Sequence, residues 1–372
     1  MTFTRRNADI VVVGGGPAGL AAAIAARRKG FTVILADGAE PPIDKPCGEG
    51  MMPETQAALR RLGVPLPPEE GQHFRGIRLI SGDTRVAADF PAGQGIGVRR
   101  PILHRLLVEA AEKAGVKFLW KTPARGIAEQ EVQFHGYSIT ADWIIGADGS
   151  GSRLRRWAGL DQATRREQRN ATSRHYRVRP WSEYMEIHWG PRSQAYVTPI
   201  SPQEVCIVIM AESVDRANFE TTLVDLPELR QRLAGAEIAG RERGAITAMH
   251  TLRRVSRGNV ALVGDASGGV DAITGEGLRL GFRQAQSSAD AIVLGDLSRY
   301  ESAHRDLARR PRWMGQFMLK VGRNSWLRDR SLRAMQRHPE LLERLLAVHV
   351  GQATPKHMLA AGAQFGWEFL AA

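Results

Sequence analysis

Four short apolar runs punctuate the chain: Ile10 to Val13, Phe31 to Leu35, Trp143 to Ala147 and Asn259 to Gly264. Each is too short for a buried helix and almost free of polar positions, which predicts strands covered on both faces, as in a parallel sheet. Between the first two lies a helix-forming run, Ala18 to Lys29, that stops at Gly30. Elsewhere the pattern changes. Ile77–Ile80, Arg85–Ala88, Val116–Trp120, Tyr184–Trp189, Ala195–Pro199 and Val205–Met210 read as short strands, the last three antiparallel. Ile102 to Ala114 places Leu103, Leu106, Leu107 and Ala110 on one helical face, Leu229 to Leu233 reads as a short helix, and the chain beyond about 276 reads as helix throughout. Residues 65–71 and 93–97 read as loops. The buried strands are far apart in sequence with an antiparallel block between them. One α/β domain is therefore expected from 1–70, 96–160 and 250–325, a β-rich insert from 71–95 and 161–249, and a helical C-terminal segment over 326–372.

Composition narrows the class. The 372 residues are 43% hydrophobic, ordinary for a globular chain. No apolar run reaches the roughly 18 residues of a membrane span, and no signal-type block precedes the first strand. Two cysteines, Cys47 and Cys206, make no disulfide framework, so a cytoplasmic location is expected. The net charge of +12 is concentrated in two places. Arg165 to Arg179 carries six arginines against Glu167, and Arg299 to Arg337 carries eleven Lys or Arg against three acids. In the second segment Met314, Phe317, Met318 and Val321 recur at helical spacing. That is a surface helix with one buried face or, alternatively, a helix that meets anionic lipid at the inner membrane surface through cations such as Arg323, Arg328 and Arg330. No recognition motif accompanies the charge, so no nucleic acid partner is expected.

The chemistry begins at the first strand. It ends in Gly14-Gly15-Gly16-Pro17-Ala18-Gly19, and the second strand ends just before the acidic Asp37. A strand–turn–helix–strand unit of this spacing binds a dinucleotide. Gly14 permits the tight turn, Gly16 lets the backbone approach a pyrophosphate, and Gly19 allows the helix to pack on the strand. The helix amino end then offers N–H groups to the phosphates, and Asp37 stands where an acid accepts the ribose hydroxyls.

Three further motifs follow in order: Lys45-Pro46-Cys47-Gly48-Glu49-Gly50-Met51, Asp148-Gly149-x-x-Ser152-x-x-Arg155, and Gly264-Asp265 with Thr274-Gly275-Glu276-Gly277 opening a helix. Over residues 8–300 this set resembles the family of FAD-dependent aromatic hydroxylases (flavoprotein monooxygenases) and geranylgeranyl reductases. The resemblance implies a glutathione-reductase-type FAD-binding Rossmann domain with an inserted antiparallel β-sheet substrate domain and a helical C-terminus. It implies FAD as cofactor, with NAD(P)H as a transient reductant. The FAD-contacting residues it implies are Gly14, Gly16, Pro17, Ala18, Gly19, Asp37, Cys47, Gly48, Arg100, Asp148, Gly149, Gly264, Asp265, Gly275, Glu276 and Gly277. Arg99 remains an alternative to Arg100.

The Cys47 turn is similar to the Cys-Gly-Gly-Gly-like turn of the reductase branch, with Glu49 in place of the middle glycine. Cys47 and Glu49 are the candidate catalytic residues, each with a plain alternative as a packing residue and a loop acid. Tyr196-Val197-Thr198-Pro199 keeps the tyrosine of that branch's Tyr-x-Trp-x-Phe-Pro strand but lacks its other aromatics. The expectation is therefore an FAD-dependent hydroxylase acting on a hydrophobic aromatic or polyketide-like molecule. The alternatives are a geranylgeranyl-reductase-like enzyme that reduces carbon–carbon double bonds of a lipid, and a non-catalytic flavin electron-transfer or lipid-surface protein. Tyr184, Trp189, Tyr196 and Ile207 are the candidate substrate wall. The histidines show no metal-binding spacing, and no metal is expected.

Overall fold

The computed structural model describes residues 6–214, 217–353 and 366, with the side chains at 6, 164–167 and 248 left aside. The expected helix beyond 353 and the side chains of Arg165, Arg166 and Glu167 lie outside that description.

The apolar runs form the centre of an eight-stranded sheet. Its parallel part runs in the order Val260–Leu262, Ser138–Gly146, Arg6–Val13, Val33–Ala36, Lys117–Leu119. Ile10, Val11, Val12, Ile144, Ile145 and Leu262 are fully buried in one core with side chains of helices Pro17–Arg28, Arg100–Lys113 and Gly277–Val293 and with Val132 and Phe134. Helix Pro17–Arg28 begins with proline at its first position and buries Ala21, Ala22, Ala23 and Ala26 without residual exposure. Those small side chains let helix Gly277–Val293 pack across it: Cβ atoms added to Gly264 and Gly281 would stand 2.6 and 3.2 Å from the Ala18 Cβ. A short meander, Gly126–Ala128 and Glu131–Gln133, extends the Ser138–Gly146 strand.

The second eight-stranded sheet is ordered Glu237–Ile238, Ala163–Arg177, Glu204–Ala211, Ser193–Ser201, Met185–Trp189, Gly76–Ser81, Thr84–Asp89, with Arg243–Leu252 also paired to Ala163–Arg177. Every pairing is antiparallel except Met185–Trp189 with Gly76–Ser81. The expected loop at 93–97 is in part a strand, Gly95–Gly97, which joins Gly50–Met51 and Gln72–Phe74 in a small third sheet. That sheet ties the Cys47 turn to the start of helix Arg100–Lys113.

Four helices follow among the described residues: Gly277–Val293, Leu297–Arg323, Ser325–Arg337 and Glu340–Val350. The last three cover one face of the second sheet, with Leu319, Leu332, Met335, Leu341 and Leu346 packed against Leu79, Ile187 and Trp189. Phe219–Asp225 and Pro227–Arg232 cover the other face. Among the described residues no helix is long and apolar enough to cross a membrane. Arg328 is not the surface cation expected from the sequence. It is buried and donates to Asp329 Oδ1 and to the Gly190 carbonyl.

Candidate functional site

The glycine turn, the Asp148-Gly149 turn and the Gly264-Asp265 turn all follow the carboxyl ends of adjacent parallel strands, the edge where open α/β sheets bind ligands. Their glycines divide into two kinds. Gly14 (φ +115°) has no room for a side chain, since a Cβ would lie 2.4 Å from the Ala147 carbonyl oxygen. A Cβ on Gly19 would lie 1.8 Å from the Gly14 oxygen. Over Gly16, Gly48 and Gly277 the space is open, with no atom within 4 Å of an added Cβ. Gly16 is also the N-cap of helix Pro17–Arg28, and no side chain caps it. The amino end of that helix thus faces an open backbone cradle with positive potential.

Side chains around the cradle are positioned from several elements. Asp37 accepts from the Gly15 N–H at 2.6 Å and the Ala39 N–H at 2.7 Å. His104, fully buried, meets the Gly15 carbonyl at 2.8 Å through Nε2. A carbonyl only accepts, so Nε2 carries the proton. Burial, aided by Arg100, pushes the imidazole pKa down and keeps it neutral. The Arg100 Nε is buried with no partner among the described residues. Asp148 is committed to its own helix: Oδ1 accepts from Ser152 Oγ, and Oδ2 from the N–H groups of Arg153 and Leu154. Arg155 is buried, spanning Asp161, the Ser150 and Ala266 carbonyls and the His250 ring, so it locks the Asp148 and Asp265 turns together. Asp265 itself is exposed. Glu276, almost fully buried, turns onto Arg279 and stands 3.8 Å from His349 Nε2. The open cradle, the uncapped helix and the orphaned Arg100 nitrogen fit a bound dinucleotide diphosphate.

Cys47 and Glu49 sit in a turn pinned from both sides. Thr198 Oγ1 donates to the Gly48 carbonyl at 2.7 Å, the Cys206 thiol reaches the Cys47 carbonyl at 3.5 Å, and the Val98 N–H donates to the Glu49 carbonyl. The Glu49 N–H points to the Cys47 sulfur at 3.3 Å. Glu49 is held at φ +57°, a conformation that costs a non-glycine residue on the order of 1 kcal/mol. Its carboxylate is buried, with Oε1 accepting from the Arg100 N–H at 2.8 Å and Oε2 meeting His175 Nε2 at 2.8 Å. Carboxylate, imidazole and the Cys206 sulfur lie within 4.8 Å of one another, a donor set able to take a divalent cation although no metal is expected from the sequence. Burial pushes the Cys206 thiol pKa well up.

The substrate wall is only in part where it is expected. Ile207 faces the opposite side of the sheet, packed with Phe219 and Leu229. Tyr184 lies outside the cavity: its ring stands 5.6 and 5.0 Å from the Arg75 and Arg78 guanidinium carbons, and its hydroxyl donates to Asp89. Tyr196 is on the inner face but buried, with its hydroxyl committed to Gln194 Oε1. Trp189 does line a cavity, together with Ile77, Leu79, Ile187, the Ile273-Thr274 turn and the three final helices. Arg169, buried with Asp271 at 2.9 Å and with Gln194, ties the sheet to that turn. Nothing in the one-dimensional pattern singles out Arg169, His175 or Cys206. For Arg169 and His175 the one signal is the alternation Arg169, Ala171, Ser173, His175 along one face, hidden within the basic run, and Cys206 pairs with His175 across the ladder.

A Rossmann sheet with this cradle and a large antiparallel insert defines a flavoprotein oxidoreductase. The chain belongs to the FAD binding domain family, which matches residues 7–293. It is 29% identical over 321 residues to a menaquinone reductase of Mycobacterium tuberculosis, covering 79% of this chain and 78% of that one. It is 28% identical over 313 residues to a digeranylgeranylglycerophospholipid reductase of Methanothrix thermoacetophila, covering 77% and 79%. Among solved structures, a flavoprotein/dehydrogenase from Cytophaga hutchinsonii superposes with a TM-score of 0.80 at 18% identity, covering 93% of each chain. The protein is an FAD-dependent oxidoreductase.

Proposed function

We propose that this flavoenzyme saturates carbon–carbon double bonds in the isoprenoid chain of a lipid, with NAD(P)H as the transient reductant of its FAD. One observation carries the reading: the cavity between the inserted sheet and the final helices is walled by Ile77, Leu79, Ile187, Met314, Phe317 and Leu346, with Thr274, Ser331 and His349 the few polar residues. Such a wall offers dispersion and water exclusion along its length, as a hydrocarbon chain requires. The relatives' names favour reduction over the hydroxylation expected from the sequence, since both named substrates carry isoprenoid chains.

In this reading Gly14, Gly16, Pro17, Ala18 and Gly19 hold the FAD diphosphate at the helix amino end, Asp37 the ribose, and Arg100 the phosphates. Asp148, Gly149, Gly264 and Asp265 border the sugar-alcohol portion, while Cys47, Gly48 and Gly275 to Gly277 border the ring. Bound and reduced, FAD would supply hydride chemistry, two electrons and one hydrogen for one alkene carbon. The other carbon needs one proton. Cys47 stands at the turn, and the Glu49–His175 pair behind it holds a proton between Oε2 and Nε2 at 2.8 Å. That pair is the proton store of the proposal, and Cys47, whose sulfur lies 3.3 Å from the Glu49 nitrogen, is its candidate relay.

The test is anaerobic. Photoreduced holoenzyme is mixed with a geranylgeranyl lipid or menaquinone, and product mass is followed together with flavin reoxidation. Reoxidation with a gain of two hydrogens per turnover is expected, located in the isoprenoid chain by fragment mass after any quinol has been reoxidised in air. An oxygen-dependent product that has gained one oxygen atom, or no saturation of either lipid, overturns the reading.

A further inference from the structure

The apolar cavity reaches outward to the half-buried Phe317, and the surface beside that ring is unusual for a water-facing helix. Helix Leu297–Arg323 buries Met314, Leu319 and Val321. Phe317, half-buried, lines the cavity and stacks on Trp313 with centroids 6.0 Å apart and planes 7° from parallel. Trp313 itself is 54% exposed. At 100° per residue, exposed Arg305, Arg309 and Lys320 fall on the same stripe as Trp313, with Asp306 the only acid among them. The following helix, Ser325–Arg337, repeats the pairing on a smaller scale, with Trp326 57% exposed and the Arg330 guanidinium carbon 5.4 Å from its ring centroid.

We propose that the Trp313 stripe is a docking surface for an anionic bilayer and that the lipid chain enters the cavity past Phe317. The proposal deepens the reductase reading and rests on it for what enters the cavity. Three features argue for a bilayer. A tryptophan at the edge of an apolar lining matches the interfacial zone, where an amphipathic ring is stable. The cations on its stripe match anionic headgroups, and within 299–337 the exposed cations are Arg299, Arg305, Arg309, Lys320, Arg323, Arg333 and Arg337. Phe317, half-buried between the cavity and the exposed Trp313 ring, makes the apolar lining continuous with the surface a bilayer would meet. A long hydrophobic substrate drawn from a bilayer then passes from one apolar medium to another without crossing water.

The experiment uses the FAD-loaded protein and sedimentation with vesicles of phosphatidylcholine, with and without phosphatidylglycerol. Wild type partitions onto the anionic vesicles and much less onto the neutral ones, and salt weakens the binding. Trp313→Ala lowers partition roughly tenfold through lost apolar burial. Arg309→Gln with Lys320→Gln lowers it about 25-fold, at about fivefold per cation. Both variants retain FAD and thermal stability, because the altered side chains are exposed. Equal partition of variants and wild type, or no binding to the anionic vesicles, overturns the proposal. Self-association that Trp313→Ala abolishes, without vesicle binding, assigns the patch to a second copy and overturns it as well. The reductase reading fails separately: if no isoprenoid is saturated in detergent while the variants still lose vesicle binding, the surface stands and the substrate assignment falls.

Discussion

Acid should weaken this fold through His304. The residue lies on helix Leu297–Arg323 and is 3% exposed. Its Nε2 meets the Ser267 hydroxyl at 2.9 Å, and that hydroxyl donates to the Gly264 carbonyl at 2.8 Å. The imidazole thus supports the turn that carries Gly264 and Asp265. Burial, with Arg312 and Arg305 adding repulsion, pushes its pKa down from 6.5 to about 3. A base whose native pKa lies below its unfolded value binds more protons when unfolded, so stability is full above about pH 6.5 and falls as the pH drops toward 3. Between pH 7.5 and 5.0 the native imidazole stays neutral while the unfolded one becomes almost fully charged. Integrating over that interval gives a loss of about 2 kcal/mol. The carboxylates Asp89, Glu186, Glu228, Asp296 and Glu340 have lowered pKa values and stay ionised over this interval, while Glu54, raised by burial, shifts the wild type and the variant alike. His104 and His349, also lowered chiefly by burial, add losses of the same sign, so the wild type alone does not isolate His304. His304→Gln does: it offers a donor to Ser267 but takes up no proton. Urea unfolding followed by far-ultraviolet circular dichroism at pH 7.5 and 5.0 should show wild type losing about 2 kcal/mol more than the variant. An equal loss in both proteins would refute the burial argument.

The two kinds of glycine should separate experimentally. Gly16→Val should abolish FAD retention with thermal stability of the apoprotein unchanged, whereas Gly14→Ala, at φ +115° and 2.4 Å from a carbonyl, should cost at least about 2 kcal/mol of stability. Glu49→Gln keeps an acceptor for the Arg100 N–H but removes the charge facing His175. It should retain FAD and lower the single-turnover rate of substrate reduction roughly 100-fold, and an unchanged rate would remove the pair from the chemistry. Arg155→Met leaves Asp161 and the Ala266 and Ser150 carbonyls without their donor. It should lower unfolding free energy by about 3 kcal/mol, measured by urea titration.

The parallel sheet was open to reading because its signal is local. Ile10–Val13, Trp143–Ala147 and Val260–Leu262 are apolar without interruption, and each ends at a glycine or acid of the cofactor edge. The inserted sheet is different. Its inner face carries Arg169, Ser173, His175, Gln194 and Thr198 among its apolar positions, so the hydrophobic alternation that marks a strand is diluted by the polar groups the site needs. Ala163–Arg177 is therefore a long strand that registers along the sequence as charge, and Arg243–Leu252 is one whose apolar positions are interrupted by Gly244, Thr247 and Thr251. A one-residue step also decides which side a strand residue serves. Cys206 and Val208 face the cofactor domain and final helices, while Ile207 between them is buried against Phe219. Met185 lies beside Gly50 and Thr198 near the turn, while Tyr184 before it leaves for the arginines at the surface. Periodicity can name a strand, but which of its two faces meets the cofactor is fixed by partners more than 100 residues away.

The Cys47 turn shows the same dependence in its strongest form. Read along the chain, Cys47-Gly48-Glu49 is a glycine-rich loop with an acid in it. In the fold, Thr198 and Cys206 hold two successive carbonyls from the inserted sheet, Val98 holds the next from the nucleotide domain, and Arg100 and His175 divide the Glu49 carboxylate between the two. A positive φ at a buried glutamate is unfavourable on its own and persists because these contacts over-determine it. Glycine at position 49 would adopt the same backbone with less strain, so packing alone does not account for the acid. What glycine lacks is the carboxylate that His175 faces, and that contact, rather than the turn itself, is what sets this chain's site apart from the Cys-Gly-Gly-Gly-like turn it resembles.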